Sequence, residues 1–136
     1  MYLLDTNVIL AARKHDPAVT DWLRGVRGQP LFLSALTVGE IRRGIAKARA
    51  ADPNAARPLE RWLTRTVMDF GANILPVDHA VAGVWGDLAV GPSLPVVDAL
   101  IAATALRHGL SVVTRNVRDF SATGVPVLNP WNVQSA

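Results

Sequence analysis

Short apolar runs that end in polar side chains, separated by stretches of helical period, limit the fold of this chain more than any other feature. Tyr2–Leu4, Leu31–Leu33, Ile74–Val77, Ser111–Thr114 and Val125–Leu128 read as strands. Pro76 puts the third near a sheet edge, because proline gives no ladder hydrogen bond. A short helix is expected from Val8 to Lys14, starting from Asn7. Asp16-Pro17 is an N-cap followed by a proline at the first helical position, and it opens a helix to about Val26. Ser34 to Ala50 repeats apolar residues at a helical period. Asp52-Pro53-Asn54 breaks the chain, and Leu59, Trp62, Leu63, Thr66, Val67 and Phe70 mark a second helix ended by Gly71. The pair reads as a helical hairpin. Asp78 caps a helix to about Asp87, and Val90 to Pro95 is a loop with Gly and Pro. Val96 to His108 is an Ala-rich helix stopped by Gly109, and Arg115 to Gly124 is a polar turn or short helix. Strands alternating with helices predict one α/β domain over 1–136, a central parallel β-sheet flanked by helices. In such sheets ligands bind at the carboxyl ends of the strands, where Asp5 and the residues after Thr114 fall.

Composition excludes several chemistries. The chain has 136 residues and no cysteine, which removes disulfide scaffolds, thiolate zinc sites and cysteine nucleophiles and fits a reducing compartment. Half of its residues are hydrophobic, enough for a core without staples. No run approaches the roughly 20 apolar residues of a membrane span. Asp5 comes too early for a secretory signal. A cytoplasmic protein without a membrane partner is expected. The net charge of +3 comes from twelve Arg and two Lys against nine Asp and two Glu. Such a balance permits a nucleic-acid partner without requiring one.

Three acids do not suit their surroundings. Asp5 ends the first apolar run, where an unpaired carboxylate is costly. Asp98 lies in the nearly all-apolar Pro95–Ala103 segment; alone, it fits a helix-dipole role as well as a functional one. Glu40 follows Thr37 at capping-box spacing, yet it falls near the apolar face of its helix. Each of the three follows a strand or begins a helix on the same expected side of the sheet. Converging carboxylates repel one another unless cations intervene. Hard oxygen ligands suit Mg²⁺, with Mn²⁺ able to substitute. His15, His79 and His108 form no cluster that would argue for zinc. A carboxylate-held pair of Mg²⁺ ions is a recognised solution to phosphodiester hydrolysis.

These segments resemble the PIN-domain ribonucleases, in particular the VapC-type toxins of toxin–antitoxin pairs. The resemblance rests on Leu4-Asp5-Thr6-Asn7, on Ser34 to Ile45, on Pro95 to Ala105 and on Val113 to Phe120, in that order along nearly the whole chain. It implies that Asp5, Glu40 and Asp98 are the catalytic, metal-binding acids of an Mg²⁺-dependent endoribonuclease. A fourth acid is common in the family two residues after the strand-end threonine. Asn116 stands there and brings no charge, and Asp119 is a substitute or a cap for the turn around Phe120. The resemblance further implies an RNA substrate, a homodimer, and a cognate antitoxin whose C-terminal segment blocks the acids, clamped by the hairpin of Ser34 to Gly71. Trp22, Trp62 and Trp85 are expected in the core, and Trp131 at the end of the last strand or in a subunit interface.

Two other readings compete. A catalytically weak or inactive PIN-like protein or RNA interaction module would explain Asn116. A phosphatase with Asp5 as nucleophile is the third, but it lacks the second aspartate of the haloacid-dehalogenase strand end. Neither a Gly-x-Gly-x-x-Gly sequence nor a Walker loop is present.

Overall fold

The computed structural model describes residues 1–88 and 94–132. A five-stranded sheet in the order β3-β2-β1-β4-β5 forms its centre. The strands are β1 (Tyr2–Leu4), β2 (Leu31–Ser34), β3 (Ile74–Leu75), β4 (Ser111–Val113) and β5 (Val127–Leu128). All pairings are parallel, with Leu3 opposite Phe32 and Leu4 opposite Val113. The helices are α1 (Thr6–Arg13), α2 (Pro17–Gly25), α3 (Ala35–Ala51), α4 (Pro53–Phe70), α5 (His79–Asp87), α6 (Val96–His108) and α7 (Val117–Ser121). The expected α/β architecture is therefore observed, and β3 is the edge strand that Pro76 implied.

Period-two alternation along the strands sorts the core into two layers. Leu4, Leu33 and Val113 point to one face and pack with Val8, Val19, Ile41, Ile45 and Leu63. Leu3 and Val112 point to the other, against Ile101, Ala102, Ala105 and Phe120. Alanines on α6 allow that helix to sit close on the sheet, and Ile101 to Ala105 are all buried. At about 1.5–3 kcal/mol for each fully buried large aliphatic side chain, these two layers are the main stabilising term.

Several boundaries differ from the sequence expectation. α1 begins at Thr6, because Asp5 caps it and not Asn7. α4 begins at Pro53, since Asp52 closes α3 through its N–H to Ala48 O (2.8 Å) and opens α4 by accepting from Asn54 N (3.1 Å). The break is one residue, and the hairpin is correspondingly tight. Pro76 and Val77 fall outside β3, and Val125 and Pro126 outside β5. The loop expected over Val90–Pro95 lies largely outside the described residues. Trp22 is buried and Trp62 packs at the edge of the core. Trp85 corrects the expectation of core packing: it is 41% exposed, so the cover over Val81 does not reach the last turn of α5.

Sheet order fixes where a site can form. The connections leave β1 toward β2 on one side, while β4 returns to its other side. This is a topological switch point, and the crevice outside the carboxyl ends of β1 and β4 is where such sheets bind ligands.

Candidate active site

Asp5 sits at that crevice. Its backbone N–H donates to Val113 O (2.9 Å), which ties the end of β1 to the end of β4. Asp5 is 4% exposed, and its carboxylate accepts three hydrogen bonds. Oδ1 caps α1 by accepting from Thr6 N (2.9 Å). Oδ2 accepts from Thr114 Oγ1 (2.8 Å) and from Asn7 Nδ2 (3.1 Å). Burial raises its pKa; the bonds from Thr114, Thr6 and Asn7 pull it down, and the charge of Glu40 pushes it further up. Burial is the largest of these causes, so ionised Asp5 remains under strain despite its three donors.

A bridge across the switch point holds this group. Asn7 Oδ1 accepts from Arg115 N (3.1 Å), and its Nδ2 also reaches Thr114 Oγ1 (3.3 Å). Thr114 Oγ1 accepts in turn from Asn116 N (3.0 Å). Thr114 is fully buried. Thr6, Asn7 and Thr114 thus fix the orientation of Asp5, and Thr6 connects it to Glu40. The only sequence signal for this was their adjacency to Asp5 and to the end of β4.

Glu40 projects from α3 and accepts from Thr6 Oγ1 (2.7 Å) through Oε1. The capping-box alternative does not hold. Ser34 is the N-cap of α3 and accepts from Leu36 N (3.0 Å), so Glu40 lies beyond the first turn. Asp98 occupies the first turn of α6. Its pKa is pushed up to about 6, first by burial and then by the charges of Asp5, Glu40 and Asp119. A carboxylate serving only the helix dipole would gain from ionising; this one is penalised for it. Asp119 lies in α7, makes no side-chain cap there, and adds its charge to the same field.

The structure therefore brings Asp5, Glu40 and Asp98 into one electrostatic neighbourhood, with Asp119 at its border. Among the described residues the ion pairs are Arg24–Asp21 and Arg49–Glu60, so none of these four acids has a basic partner. Glu60 has the ordinary surface pairing expected of it. No group of three His, Asp or Glu side chains among the described residues is already closed around one ion-sized point. Glu40 is exposed and held by its bond from Thr6 Oγ1, whereas Asp98 accepts no hydrogen bond among the described residues and its side chain is free to turn. An all-oxygen, uncompensated acidic set of this kind suits a hard divalent cation such as Mg²⁺ or Mn²⁺. His79 and His108 are exposed, and His108 helps to lower the pKa of Asp78 after the Val81 N–H bond and Arg107.

A groove of about 520 Å³ runs from the acids along the hairpin, with Thr6 and Glu40 at its polar part and Leu10, Ile41, Ile45 and Leu59 along it. Trp131 sits after β5. Its indole N–H donates to Asp16 Oδ2 (3.2 Å), and the Arg115 guanidinium lies 3.8 Å from its ring centroid. Trp131 thus packs at the end of the last strand. No helix among the described residues is long and apolar enough to cross a membrane.

Comparison with known proteins agrees with this arrangement. Residues 2–126 match the PIN domain family. Toxin FitB of Neisseria gonorrhoeae is 35% identical over 140 residues, covering 97% of this chain and 99% of that protein. VapC ribonuclease Y4jK of Sinorhizobium fredii is 35% identical over 138 residues, covering 96% and 98%. The crystal structure of FitAcB from Neisseria gonorrhoeae aligns with a TM-score of 0.85 at 35% identity, over 98% of this chain and 100% of that one. A parallel sheet with its acids at the switch point, matched end to end by such relatives, makes this chain a member of the PIN-domain family, of the VapC toxin type.

Proposed function

We propose that this chain is the toxin of a toxin–antitoxin pair and acts as an Mg²⁺-dependent endoribonuclease. One observation carries the reading: Asp5, Glu40 and Asp98, remote in sequence, act on one another electrostatically, none of them is in an ion pair among the described residues, and two of them resist ionisation. Relatives named as toxin and as ribonuclease support the choice of substrate. Asp5, Glu40 and Asp98 would hold the metal. Bound there, Mg²⁺ supplies charge stabilisation to a phosphodiester and makes an attacking water more acidic. Asp5 is the rigid wall, oriented by Thr6, Asn7 and Thr114. Glu40 is positioned by Thr6, and Asp98 is free to adjust. Asn116, in place of a fourth acid, lowers the negative charge that an RNA must approach.

The apolar groove beside Thr6 and Glu40 is the proposed seat of a cognate antitoxin segment, which would cover the acids as it binds. A homodimer is proposed on the same family grounds. Asp5→Asn should abolish RNA cleavage in Mg²⁺ while the protein stays folded. Cleavage by a folded Asp5→Asn variant at the wild-type rate, or wild-type cleavage that persists in EDTA, would overturn the assignment. Asn116 and the lack of a preformed triad favour one alternative, an inactive binding module. It predicts no heat of Mn²⁺ binding by the wild-type protein.

A further inference from the structure

A second pocket, of about 530 Å³, opens beside the acids between the β4–α7 connection and the turn after β5. Its walls include Arg115, Asn116, Arg118, Asp119, Asn129 and Asn132. It is joined to the acid cluster by short bonds. Asn116 N donates to Thr114 Oγ1 (3.0 Å), and that hydroxyl donates to Asp5 Oδ2 (2.8 Å). Asp119, on its wall, is close enough for its charge to act on Asp98.

The pocket is held open by contacts that fix some groups and leave others available. Trp131 is clamped by Asp16 through its indole N–H and by the guanidinium of Arg115 over its ring. Trp131 N donates to Asn129 Oδ1 (2.9 Å). A backbone N–H can only donate, so this bond identifies the acceptor end of the Asn129 amide and leaves its Nδ2 for a ligand. Asn132 N donates to Asn129 O (3.1 Å), which closes the turn. Arg115 is thus engaged in building the wall. Arg118 is exposed and makes no ion pair among the described residues. The side chains of Asn116 and Asn132 likewise make no hydrogen bond among the described residues.

One uncommitted guanidinium beside several uncommitted amides is the chemistry that meets a phosphate and a base edge. Unstacked bases of a single strand present those edges, whereas a paired RNA helix hides most of them. We propose that this pocket receives the nucleotide next to the scissile phosphate of a single-stranded RNA, with Arg118 on its phosphate and the amides of Asn116, Asn129 and Asn132 on its base. The proposal rests on the nuclease reading. It gives Asn116 a use of its own, as part of the base-reading wall, where the family pattern would lead one to see only a missing acid.

The test uses fluorescence anisotropy of fluorescein-labelled 12-nucleotide RNAs of U, A and C in calcium buffer, together with Mn²⁺ titration of the same proteins. Arg118→Ala should weaken all three RNAs by about tenfold and reduce the slope of log affinity against log salt by about one. Asn132→Ala, at an exposed position that the fold does not need, should alter the ranking among the three RNAs by about fivefold or more, and Asn129→Ala should act in the same sense. Mn²⁺ binding should remain as in the wild type. If the wild type binds Mn²⁺ while Arg118→Ala and Asn132→Ala bind every RNA within twofold of it, the pocket proposal falls and the nuclease reading stands. If the wild type binds no Mn²⁺, both fall.

Discussion

Asp98→Asn should stabilise the metal-free protein and inactivate it at the same time. Asp98 has its pKa pushed from 3.8 to about 6, because ionisation is opposed by burial and by Asp5, Glu40 and Asp119. A folded-state pKa above the unfolded one means that the folded chain binds more protons between about pH 4 and 6. Stability therefore falls as pH rises through that window, and the penalty is complete above it. Two pH units at about 1.36 kcal/mol each set a ceiling near 3 kcal/mol. Asp98 is only partly buried, so solvent screening reduces this to about 1–2 kcal/mol. The isosteric amide removes the penalty, which corresponds to a rise in melting temperature of roughly 3–10 °C for a domain of this size. Thermal melts at pH 7.5 in EDTA would show the variant above the wild type, and melts near pH 4 would bring the two together. Mn²⁺ should then invert the order. A ligand at 100 times its dissociation constant adds about 2.7 kcal/mol to the protein that binds it, and the variant has lost a proposed ligand. A variant less stable than the wild type in EDTA at pH 7.5, or a gap that persists at pH 4, would refute this account of Asp98.

Other substitutions separate the support from the acids. Thr114→Val keeps the shape of a fully buried residue but removes the donor to Asp5 and the acceptor for Asn116 N; urea unfolding should show a loss of about 1–3 kcal/mol, with reduced cleavage. Asp16→Ala removes the cap of α2, which accepts from Ala18 N (3.0 Å) and Val19 N (3.2 Å), and frees the indole of Trp131; it should cost about 1–2 kcal/mol by denaturation and enhance the fluorescence change of Trp131 at low denaturant. Leu63→Ala, at a fully packed position between the hairpin and the sheet, should cost about 2–5 kcal/mol in the same assay and leave Mn²⁺ affinity unchanged.

The sheet was legible because its apolar runs are short and each ends in a polar residue; Leu3 and Leu4 feed opposite layers as the alternation requires. Asp5, Glu40 and Asp98 were legible as acids without a packing reason. Residues that carry two jobs were misread at their boundaries. Asp5 is both candidate ligand and helix cap, so α1 starts two residues earlier than a cap at Asn7 suggested. Asp52 ends one helix and begins the next, where a longer break was expected. The bridge from Asn7 to Thr114 and Arg115 was not legible at all. It spans more than half the chain and exists only because Leu4 pairs with Val113. Trp85 was misplaced because a helical apolar face does not reveal how far its cover extends.

Manganese titration calorimetry on the wild type and on Asp5→Asn, Glu40→Gln and Asp98→Asn tests the central claim most directly. The account predicts saturable binding by the wild type and an affinity lower by at least tenfold in each folded variant. Binding in all three variants equal to that of the wild type would contradict it.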